Sequence, residues 1–489
     1  MSDNLYALFA SRFASARGAV CLEVDGGPSF SYADLDAESA RYANLLVSLG
    51  LKPGDRVAAQ IEKSAQAVFL YLGCLRAGLV YLPLNTAYQQ AEIAHFVSDA
   101  QPAAAFCRPQ AQPWFDGVPH LPSLDAAMGQ PTSFQTVSRA ADDLACLVYT
   151  SGTTGRAKGA MITHGNLAAN AIALHAFWKF RPGDVLIHAL PLFHVHGLFV
   201  ALHTALLNAS RMILLPRFDA ASVMRHLPQA TVFMGVPTYY VRLLAEPAFD
   251  RTLCTKMRLF VSGSAPLLTE TFNEFRQRTG HVILERYGMT ETGMNTSNPY
   301  DGERRGGTVG LPLPGVEVRV ADASDQPLPA GEIGGIQVRG PNVMPGYWRL
   351  PERRKDDFTA DGFFRTGDLG RFDAQGYLSI VGREKDLVIS GGYNVYPKEI
   401  EMLLDELPGV EESAAFGVPH KDFGEALAVA IVARPGAKLT EQGVIAHVKD
   451  QLANFKVPKR VVFVSELPRN TMGKVLKSEL RKTYGANES

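Results

Sequence analysis

The chain has 489 residues, more than a single hydrophobic core usually holds, because domains contain about 100–200 residues. Hydrophobic residues make up 46% of it and charged residues 20%, which is typical of a globular protein. Its 48 Lys and Arg residues nearly balance its 49 Asp and Glu residues, so bulk charge does not favour binding to nucleic acid or to an anionic membrane. Small anions would therefore have to be recognised by local groups.

The five cysteines are scattered and include no CxxC pair. This pattern argues against a disulfide framework and a thiolate metal site, and it is typical of a reducing compartment. No apolar run reaches the ~20 residues that a membrane helix needs, and the segment around Asp3 lacks the long apolar core of a secretory signal. We therefore predict a cytoplasmic protein, with residues 5–20 as a segment that could also pass for a weak transit peptide.

The first hundred residues alternate helix and strand patterns. Apolar residues at helical spacing predict helices over residues 31–50 and 64–78, and short apolar runs predict strands at 53–61 and 80–85. This alternation is typical of an α/β fold. Residues 101–140 are rich in Pro, Gln and Ala, which indicates a surface connection with one or two irregular strands.

A loop rich in hydroxyls, glycines and cations follows the apolar run 144–149, which is typical of a buried strand. Glycines let backbone N–H groups approach phosphate oxygens, hydroxyls add neutral donors, and a lysine adds a point charge. The loop lacks the glycine spacing of a Walker A motif. It predicts a phosphate site of another kind, with a polar surface turn as the alternative. The candidate residues are Thr150, Ser151, Gly152, Thr153, Thr154, Gly155 and Lys158.

The α/β pattern resumes after this loop, where Thr163 is placed to cap a helix. Four later strands end in polar or Gly/Pro motifs: PLFHVHG (191–197), MGVPT (234–238), SGSAP (262–266) and RYGMTE (286–291). Ligands of an open α/β sheet collect at the carboxyl ends of its strands, so these motifs should lie together. His194 and His196 alternate as a metal pair on a strand could, but no third ligand accompanies them.

From about Thr308 the pattern changes to short strands separated by turns, including a hairpin turn at 373–376, which indicates a small β subdomain. The tail from residue 386 is long enough to form a mobile domain of its own. We therefore predict an α/β protein in two parts. A large N-terminal domain, residues 1–384, would hold α/β subdomains and the small β subdomain, and residues 385–489 would form a small mobile α+β domain.

Six motifs, in order along the chain, resemble those of the adenylate-forming superfamily of acyl-CoA synthetases, luciferases and peptide-synthetase adenylation domains. The motifs are YTSGTTGRAKGAM (149–161), SGSAP (262–266), ERYGMTET (285–292), FFRTGDLG (363–370), VGREKDLVISGGYNVYPKEIE (381–401) and PRNTMGK (468–474). Together they span most of the chain. The resemblance implies a ligase that uses ATP and Mg²⁺ to turn a carboxylate into an acyl adenylate, and then transfers the acyl group to coenzyme A.

The resemblance also implies roles for single residues. Thr150 and Glu291 would hold Mg²⁺, because this hard cation prefers oxygen ligands. Lys474 would bridge the acid and the α-phosphate, and His194 would border the acyl pocket. The nucleotide would contact residues in four of the motifs beyond the phosphate loop. These residues are Gly263, Ser264, Ala265, Pro266, Glu285, Arg286, Tyr287, Gly288, Met289, Thr290, Asp368 and Arg383. The SGSAP turn, with Tyr287 and Gly288, would wrap the adenine, and Tyr287 would offer a face for stacking. Asp368 would accept hydrogen bonds from the ribose hydroxyls, and Arg383 would be a second ribose or phosphate contact.

The tail is implied to serve both half-reactions. Lys385 would be the hinge of a large rotation, after which Gly391 and Gly392 would line the pantetheine path of coenzyme A. Lys474 would act only in adenylation. As an exposed and essential lysine, it is also a natural target for a lysine acetyltransferase, which would remove its charge.

Arg286 is predicted to choose the acid. In most relatives the residue before YGxTE is small, whereas here it is a long cation. A buried guanidinium requires an anion, and the second carboxylate of a short diacid can accept two hydrogen bonds from it. The alternative is an internal ion pair with Glu285 or Asp301. The motif is similar to that of malonyl-CoA synthetases, which favours malonate, with methylmalonate as a second substrate.

Other functions remain open at this stage. Within the ligases, the acid could be a short-chain, medium-chain or aryl acid. The chain could instead load a carrier protein, although no segment with a serine attachment motif follows the tail, or it could bind nucleotide without catalysis. The presence of Lys474, Glu291 and Asp368 disfavours the last of these.

Overall fold

The computed structural model describes residues 2–150, 157–390, 393–420, 424–470 and 473–485. The helices are α1 (Leu5–Phe13), α2 (Tyr32–Ser48), α3 (Ala65–Arg76), α4 (Gln90–Ala100), α5 (His164–Phe177), α6 (Leu202–Leu207), α7 (Ala220–His226), α8 (Pro237–Leu244), α9 (Thr269–Thr279), α10 (Arg354–Asp357), α11 (Pro397–Asp405), α12 (Glu441–Gln451) and α13 (Lys477–Tyr484).

The strands of the first half are β1 (Val20–Val24), β2 (Ser29–Ser31), β3 (Arg56–Gln60), β4 (Val80–Pro83), β5 (Ala104–Cys107), β6 (Leu144–Thr150), β7 (Lys158–Thr163), β8 (Val185–His188), β9 (Arg211–Leu214) and β10 (Val232–Gly235). The later strands are β11 (Leu259–Ser262), β12 (Leu284–Met289), β13 (Gly293–Ser297), β14 (Leu311–Pro312), β15 (Glu317–Ala321), β16 (Gly334–Arg339), β17 (Phe364–Phe372), β18 (Leu378–Arg383), β19 (Val388–Ser390), β20 (Tyr393–Val395), β21 (Val410–His420), β22 (Gly424–Ala433) and β23 (Arg460–Val464).

Two sheets, whose central strands run parallel, carry most of the candidate site residues. Counted over the described ranges, one has nine strands in the order β14, β13, β12, β11, β10, β8, β9, β1, β2, and the other has five in the order β5, β3, β4, β6, β7. Strands β10 and β11 are buried along their whole length, as expected where helices cover both faces of a parallel sheet. The polar motifs lie at or just after the carboxyl ends of β6, β8, β10, β11 and β12.

Several local predictions are confirmed. Helix α5 begins after Thr163, whose hydroxyl accepts a hydrogen bond from Asn166 N at 3.1 Å. The predicted turn at 373–376 joins β17 to β18 as an antiparallel hairpin. Residues 101–140 contain the short strand β5 and two 3₁₀ turns, in keeping with an irregular connection.

The last third of the chain forms two antiparallel-rich sheets. Strands β15 to β18 make a four-stranded sheet, and the tail places β20, β19, β22 and β21 in order with β23 beside β22. The predicted fold class is therefore confirmed. The predicted domain boundary falls in the 3₁₀ turn Glu384–Asp386 and stays a prediction. Among the helices of the described ranges, none combines the length and apolar character needed to cross a membrane.

Candidate active site

The carboxylate of Glu291 lies beside the strand that leads into the phosphate loop. The turn after β12 places it so that the Thr150 hydroxyl, at the end of β6, donates to its Oε1 at 3.3 Å. Glu291 is only 6% exposed, and burial raises its pKa. The structure thus brings together the two predicted magnesium ligands from distant parts of the chain.

This pair of oxygen donors fits Mg²⁺. The ion is commonly held by one or two carboxylates together with the phosphates of a nucleotide. Thr150 and Glu291 supply a hydroxyl and a carboxylate, and the described residues contain no cluster of three or more His, Cys, Asp or Glu that could hold a metal. The nucleotide would therefore have to complete the coordination.

Lys158 lies on the return strand of the phosphate loop. Its Nζ lies 4.6 Å from the ring centroid of Tyr347, and burial, followed by the nearby charge of Arg353, lowers its pKa. Several predicted residues fall outside the described part of the chain. They are Ser151, Gly152, Thr153, Thr154 and Gly155 in the phosphate loop, and Gly391 and Gly392 in the tail.

Residues 340–348, here named the crossing segment, contribute a site residue that the sequence motifs did not indicate. Met344 N donates to Glu291 O at 2.9 Å, and the Tyr347 hydroxyl donates to Glu291 Oε1 at 2.8 Å. The glycines and prolines of the segment predict turns, but a single tyrosine in such a segment has no pattern that marks it as a site residue. Only its contact with Glu291 identifies it.

Asp368 and Arg383 face each other across the β17–β18 hairpin, where they are register partners. Arg383 Nε lies 2.8 Å from Asp368 Oδ1, and the Tyr287 hydroxyl donates to Asp368 Oδ2 at 2.6 Å. Burial, and then the Asp368 charge, raise the pKa of Tyr287. The two predicted ribose contacts therefore form one ion pair, in which Asp368 is buried and Arg383 is 33% exposed. Asp368 also holds Tyr287, whose stacking on adenine stays a prediction.

The predicted adenine turn follows β11 and runs from Gly263 to Pro266. A Cβ on Gly263 would lie 2.5 Å from Arg286 Cζ, so a larger residue there would displace the guanidinium. Ser264 has a φ of 72°, in the left-handed region that residues other than glycine seldom adopt. Ala265 completes the turn. The guanidinium of Arg286 is therefore packed directly against the proposed adenine site.

The other nucleotide candidates of the ERYGMTE motif belong to β12 and the turn after it. A Cβ on Gly288 would collide with the carbonyl oxygen of Gly293 on the neighbouring strand, so glycine is required at this close approach. Met289 is the last residue of β12, and Thr290 leads into the turn that carries Glu291. The motif therefore joins the adenine side of the site to the metal side.

Arg286 lies on β12, is 2% exposed, and forms no ion pair with another described residue. Within the described ranges, its Nε and Nη2 have no hydrogen-bond partner. Glu285 Oε1 accepts instead from Leu267 N at 3.1 Å, and Asp301 pairs with Lys179. The structure therefore does not support the alternative of an Arg286 pair with Glu285 or Asp301.

Burial shifts the pKa values of this neighbouring pair in opposite directions. It raises the pKa of Glu285 to about 8 and lowers that of Arg286 to about 9. At neutral pH the guanidinium keeps its charge, while the carboxyl is largely protonated. Arg286 therefore carries a buried positive charge that no ion pair offsets within the described residues.

His194 and His196 do not lie on a strand, so they do not form the alternating pair that their spacing suggested. The loop after β8 leads into a π-helical turn, His196–Ala201, and His196 N donates to His194 Nδ1 at 3.2 Å. Burial lowers the pKa of His194 to about 4 and also lowers that of His196. The charge of Arg286 is the second largest cause of both shifts. His196 Nδ1 lies 3.3 Å from Ser264 Oγ. Two neutral histidines therefore lie beside Arg286.

Lys474 in the tail lies close enough to Arg383 and Asp368, the predicted ribose contacts, for their charges to shift its pKa. Burial, followed by the charge of Arg383, lowers the pKa of Lys474 to about 8, while Asp368 opposes this shift. Gly473, with a φ of 75°, makes the sharp turn before it. Lys385 lies in the 3₁₀ turn Glu384–Asp386, between β18 and β19. The structure thus brings Lys474 to the site and places Lys385 at the start of the tail.

Comparison with known proteins agrees with this arrangement. Residues 9–348 match the family model described as AMP-binding enzyme, and residues 399–474 match its C-terminal domain. The chain is 34% identical to a malonate–CoA ligase of Arabidopsis thaliana, over 100% of this chain and 90% of that protein. It is 35% identical to a feruloyl-CoA synthase of Amycolatopsis sp, over 94% of this chain and 95% of that protein.

Among solved structures, the chain is similar to MatB from Rhodopseudomonas palustris, with 51% identity over 99% of both chains. The TM-score is 0.97 for the ATP-bound structure and 0.85 for the apo structure. The family model covers well over half of this chain, and the match extends through both predicted domains. This chain belongs to the family of AMP-binding enzymes.

Proposed function

We propose that this protein is an acid–thiol ligase that joins malonate to coenzyme A, with methylmalonate as a second substrate. The observation that carries the proposal is the buried, unpaired guanidinium of Arg286 at the acid end of the site. An unpaired buried charge is costly, so the site calls for an anionic substrate group. Similarity to a malonate–CoA ligase over the whole chain supports the same acid.

The two partnerless nitrogens of Arg286 suit a carboxylate. Nε and Nη2 lie on one edge of the planar guanidinium, and this edge can donate two parallel hydrogen bonds to the two oxygens of a carboxylate. A monocarboxylic acid of the same length would leave both donors buried and unpaired. Sites of this kind reject the analogue that lacks the polar group more strongly than they reject a change in size.

In the first half-reaction, an oxygen of the other carboxylate attacks the α-phosphorus of ATP, and the bond to the bridging oxygen breaks to release pyrophosphate. The ammonium of Lys474 donates to the acid and the α-phosphate as negative charge develops there. Asp368 and Arg383 orient the ribose, while Lys158 and the phosphate loop hold the outer phosphates. Thr150 and Glu291 would hold Mg²⁺, which neutralises charge on the phosphates when bound.

In the second half-reaction, the thiol sulfur of coenzyme A attacks the acyl carbon, and AMP leaves. Lys474 occupies the approach to the adenylate in the first step, so residues 385–489 rotate about Lys385 before the second, and Gly391 and Gly392 then line the pantetheine path. Lys385→Pro, which fixes φ, should spare pyrophosphate exchange and slow thioester formation. Unchanged thioester synthesis would contradict the hinge.

The decisive experiment mixes the protein with ATP, Mg²⁺, free coenzyme A and one acid at a time, and measures AMP release. Malonate should give the highest rate, followed by methylmalonate, with butyrate and benzoate far slower. A higher rate with benzoate or with a longer monocarboxylic acid would overturn the malonate assignment. Adenylate formation without turnover of free coenzyme A would instead favour the loading of a carrier protein.

Lys474 also offers a point of control for the same reaction. We propose that a cytoplasmic lysine acetyltransferase can neutralise Lys474 and thereby stop adenylation, because an amide cannot offset charge on the α-phosphate. Protein acetylated stoichiometrically at Lys474 should lose pyrophosphate exchange. Full activity of that protein would exclude this control.

A further inference from the structure

Glu291 and Lys158 carry opposite charges at the phosphate end of the site, yet they do not form an ion pair. Lys158 has no carboxylate within 4.0 Å in the described ranges, although the charges of Asp357 and then Glu291 oppose the lowering of its pKa. The buried carboxylate of Glu291 and the partly buried ammonium attract each other, yet the two groups stay apart. A direct pair would neutralise both groups before a nucleotide arrived.

Tyr347 lies between the two charges and contacts both. Its hydroxyl donates to Glu291 Oε1 at 2.8 Å, and the Lys158 ammonium lies 4.6 Å from its ring centroid. The second contact lies within the range of a cation–π interaction. Because the side chain is only 8% exposed, solvent screens these contacts little.

The crossing segment fixes the backbone of Tyr347 against the return strand of the phosphate loop. Tyr347 pairs with Ala160 of β7 as an antiparallel bridge, and Trp348 N donates to Gly159 O at 2.8 Å. On the other side of the segment, Met344 N donates to Glu291 O, as described above. The tyrosine is therefore held by both elements that carry the charges.

Both hydroxyl donors converge on the same carboxylate oxygen. The hydroxyls of Thr150 and Tyr347 each donate to Glu291 Oε1, and within the described part of the chain no other side chain donates to Oε2. A carboxylate held through one oxygen has its rotation fixed while the other oxygen stays available. The ring likewise holds the ammonium without consuming its hydrogen-bond donors.

We propose that Tyr347 is a positioning residue that separates Glu291 from Lys158, reserving the carboxylate for a divalent cation and the ammonium for the phosphates of ATP. The hydroxyl performs the first task and the ring the second. This inference rests on the proposed function only in taking Glu291 as a ligand of a nucleotide-bound cation. It is independent of which acid the enzyme uses.

The experiment measures cation binding directly, by electron paramagnetic resonance titration of Mn²⁺ in the presence of α,β-methylene ATP. Tyr347→Phe removes only the hydroxyl, and we expect its Mn²⁺ affinity to fall about tenfold, as for the loss of a hydrogen bond to a charged group. Its affinity for the analogue without a divalent cation should not change. Tyr347→Leu also removes the ring, and it should bind the analogue at least about threefold more weakly without a cation, because Lys158 can then pair with Glu291.

Tyr377→Phe is the matched control. Tyr377 also donates its hydroxyl to a protein oxygen, Glu303 O, at 2.8 Å, and has a cation, Arg305, 4.1 Å from its ring centroid. This variant should bind Mn²⁺ as the unmodified protein does. Mn²⁺ affinity of Tyr347→Phe within twofold of the unmodified protein would overturn the proposal, as would unchanged cation-free binding by a folded Tyr347→Leu. If melting curves show that Tyr347→Leu does not fold, Tyr347→Phe alone decides.

Discussion

The two ends of the candidate site differ in whether their charged groups have partners. The phosphate end holds Glu291 and Lys158, and the proposed acid end holds Arg286. At the phosphate end, the carboxylate of Glu291 and the ammonium of Lys158 each contact Tyr347, so both charges are held in place before a ligand binds. At the acid end, Arg286 Nε and Nη2 and His196 Nε2 are buried without partners in the described ranges. Contacts with the protein fix the geometry of a charge, whereas buried donors without partners make binding depend on the ligand that pairs with them. We therefore expect selectivity to lie at the acid end.

Lys474→Ala should have the largest effect, because Lys474 acts between the two ends. Loss of a cation that offsets developing charge should slow pyrophosphate exchange by roughly 10²–10³-fold. Thioester formation from supplied malonyl adenylate should continue, because the lysine would have left the site by then. Measuring both half-reactions on one preparation separates these outcomes, and an equal loss in both would contradict the assignment.

Arg286→Gly tests the acid end directly. Removal of a charge-assisted contact of about 1.5–3 kcal/mol should lower kcat/KM for malonate by roughly ten- to a hundred-fold. Butyrate has no second carboxylate, so its kcat/KM should fall little or rise. Persistence of malonate activity, or an equal loss for both acids, would remove the main support for a diacid substrate.

The pH profile of adenylation should report the ionisation of Lys474, whose pKa is lowered to about 8 by burial. The charges near it are Arg383 and Lys385, which lower its pKa, and Asp368 and Asp386, which raise it. The ammonium is present below this pKa, so kcat/KM for adenylation should be level below pH 8 and fall by up to about tenfold per pH unit above it. Lys474→Arg keeps its charge at these pH values and should lack this limb. An unchanged limb in that variant would assign it to another group.

The smallest effect is expected at an ion pair between the tail and the large domain. Arg434 Nη2 lies 2.8 Å from Glu270 Oε2, with side chains 47% and 57% exposed. Such a pair is worth less than about 1 kcal/mol, so Arg434→Ala should change the ratio of adenylation to thioester formation by only a few-fold, and less in high salt. Arg339→Ala breaks a similarly exposed pair with Glu317 and should leave the ratio unchanged. A larger effect of Arg434→Ala that persists in high salt would require another role for Arg434.

Much of the site could be predicted because its residues act close to their own place in the chain. Thr163 caps α5 through an amide three residues away, and the 373–376 turn brings Asp368 opposite Arg383. A phosphate loop depends on local glycines and hydroxyls, and Arg286 stands out within its own motif. The sequence by itself therefore determined the fold class, the family and most of the chemistry.

The tertiary structure decided which charges are satisfied. Whether Arg286 has a partner depends on what Glu285 and Asp301 contact. Glu285 accepts a hydrogen bond from Leu267 N, and Asp301 forms an ion pair with Lys179. The role of Tyr347 depends on a contact with Glu291, 56 residues away in the chain. Such contacts follow from the packing of whole sheets and connecting segments, which single-residue patterns do not encode. The residues near a buried charge in space either stabilise it or leave it without a partner, and only the folded chain specifies those residues.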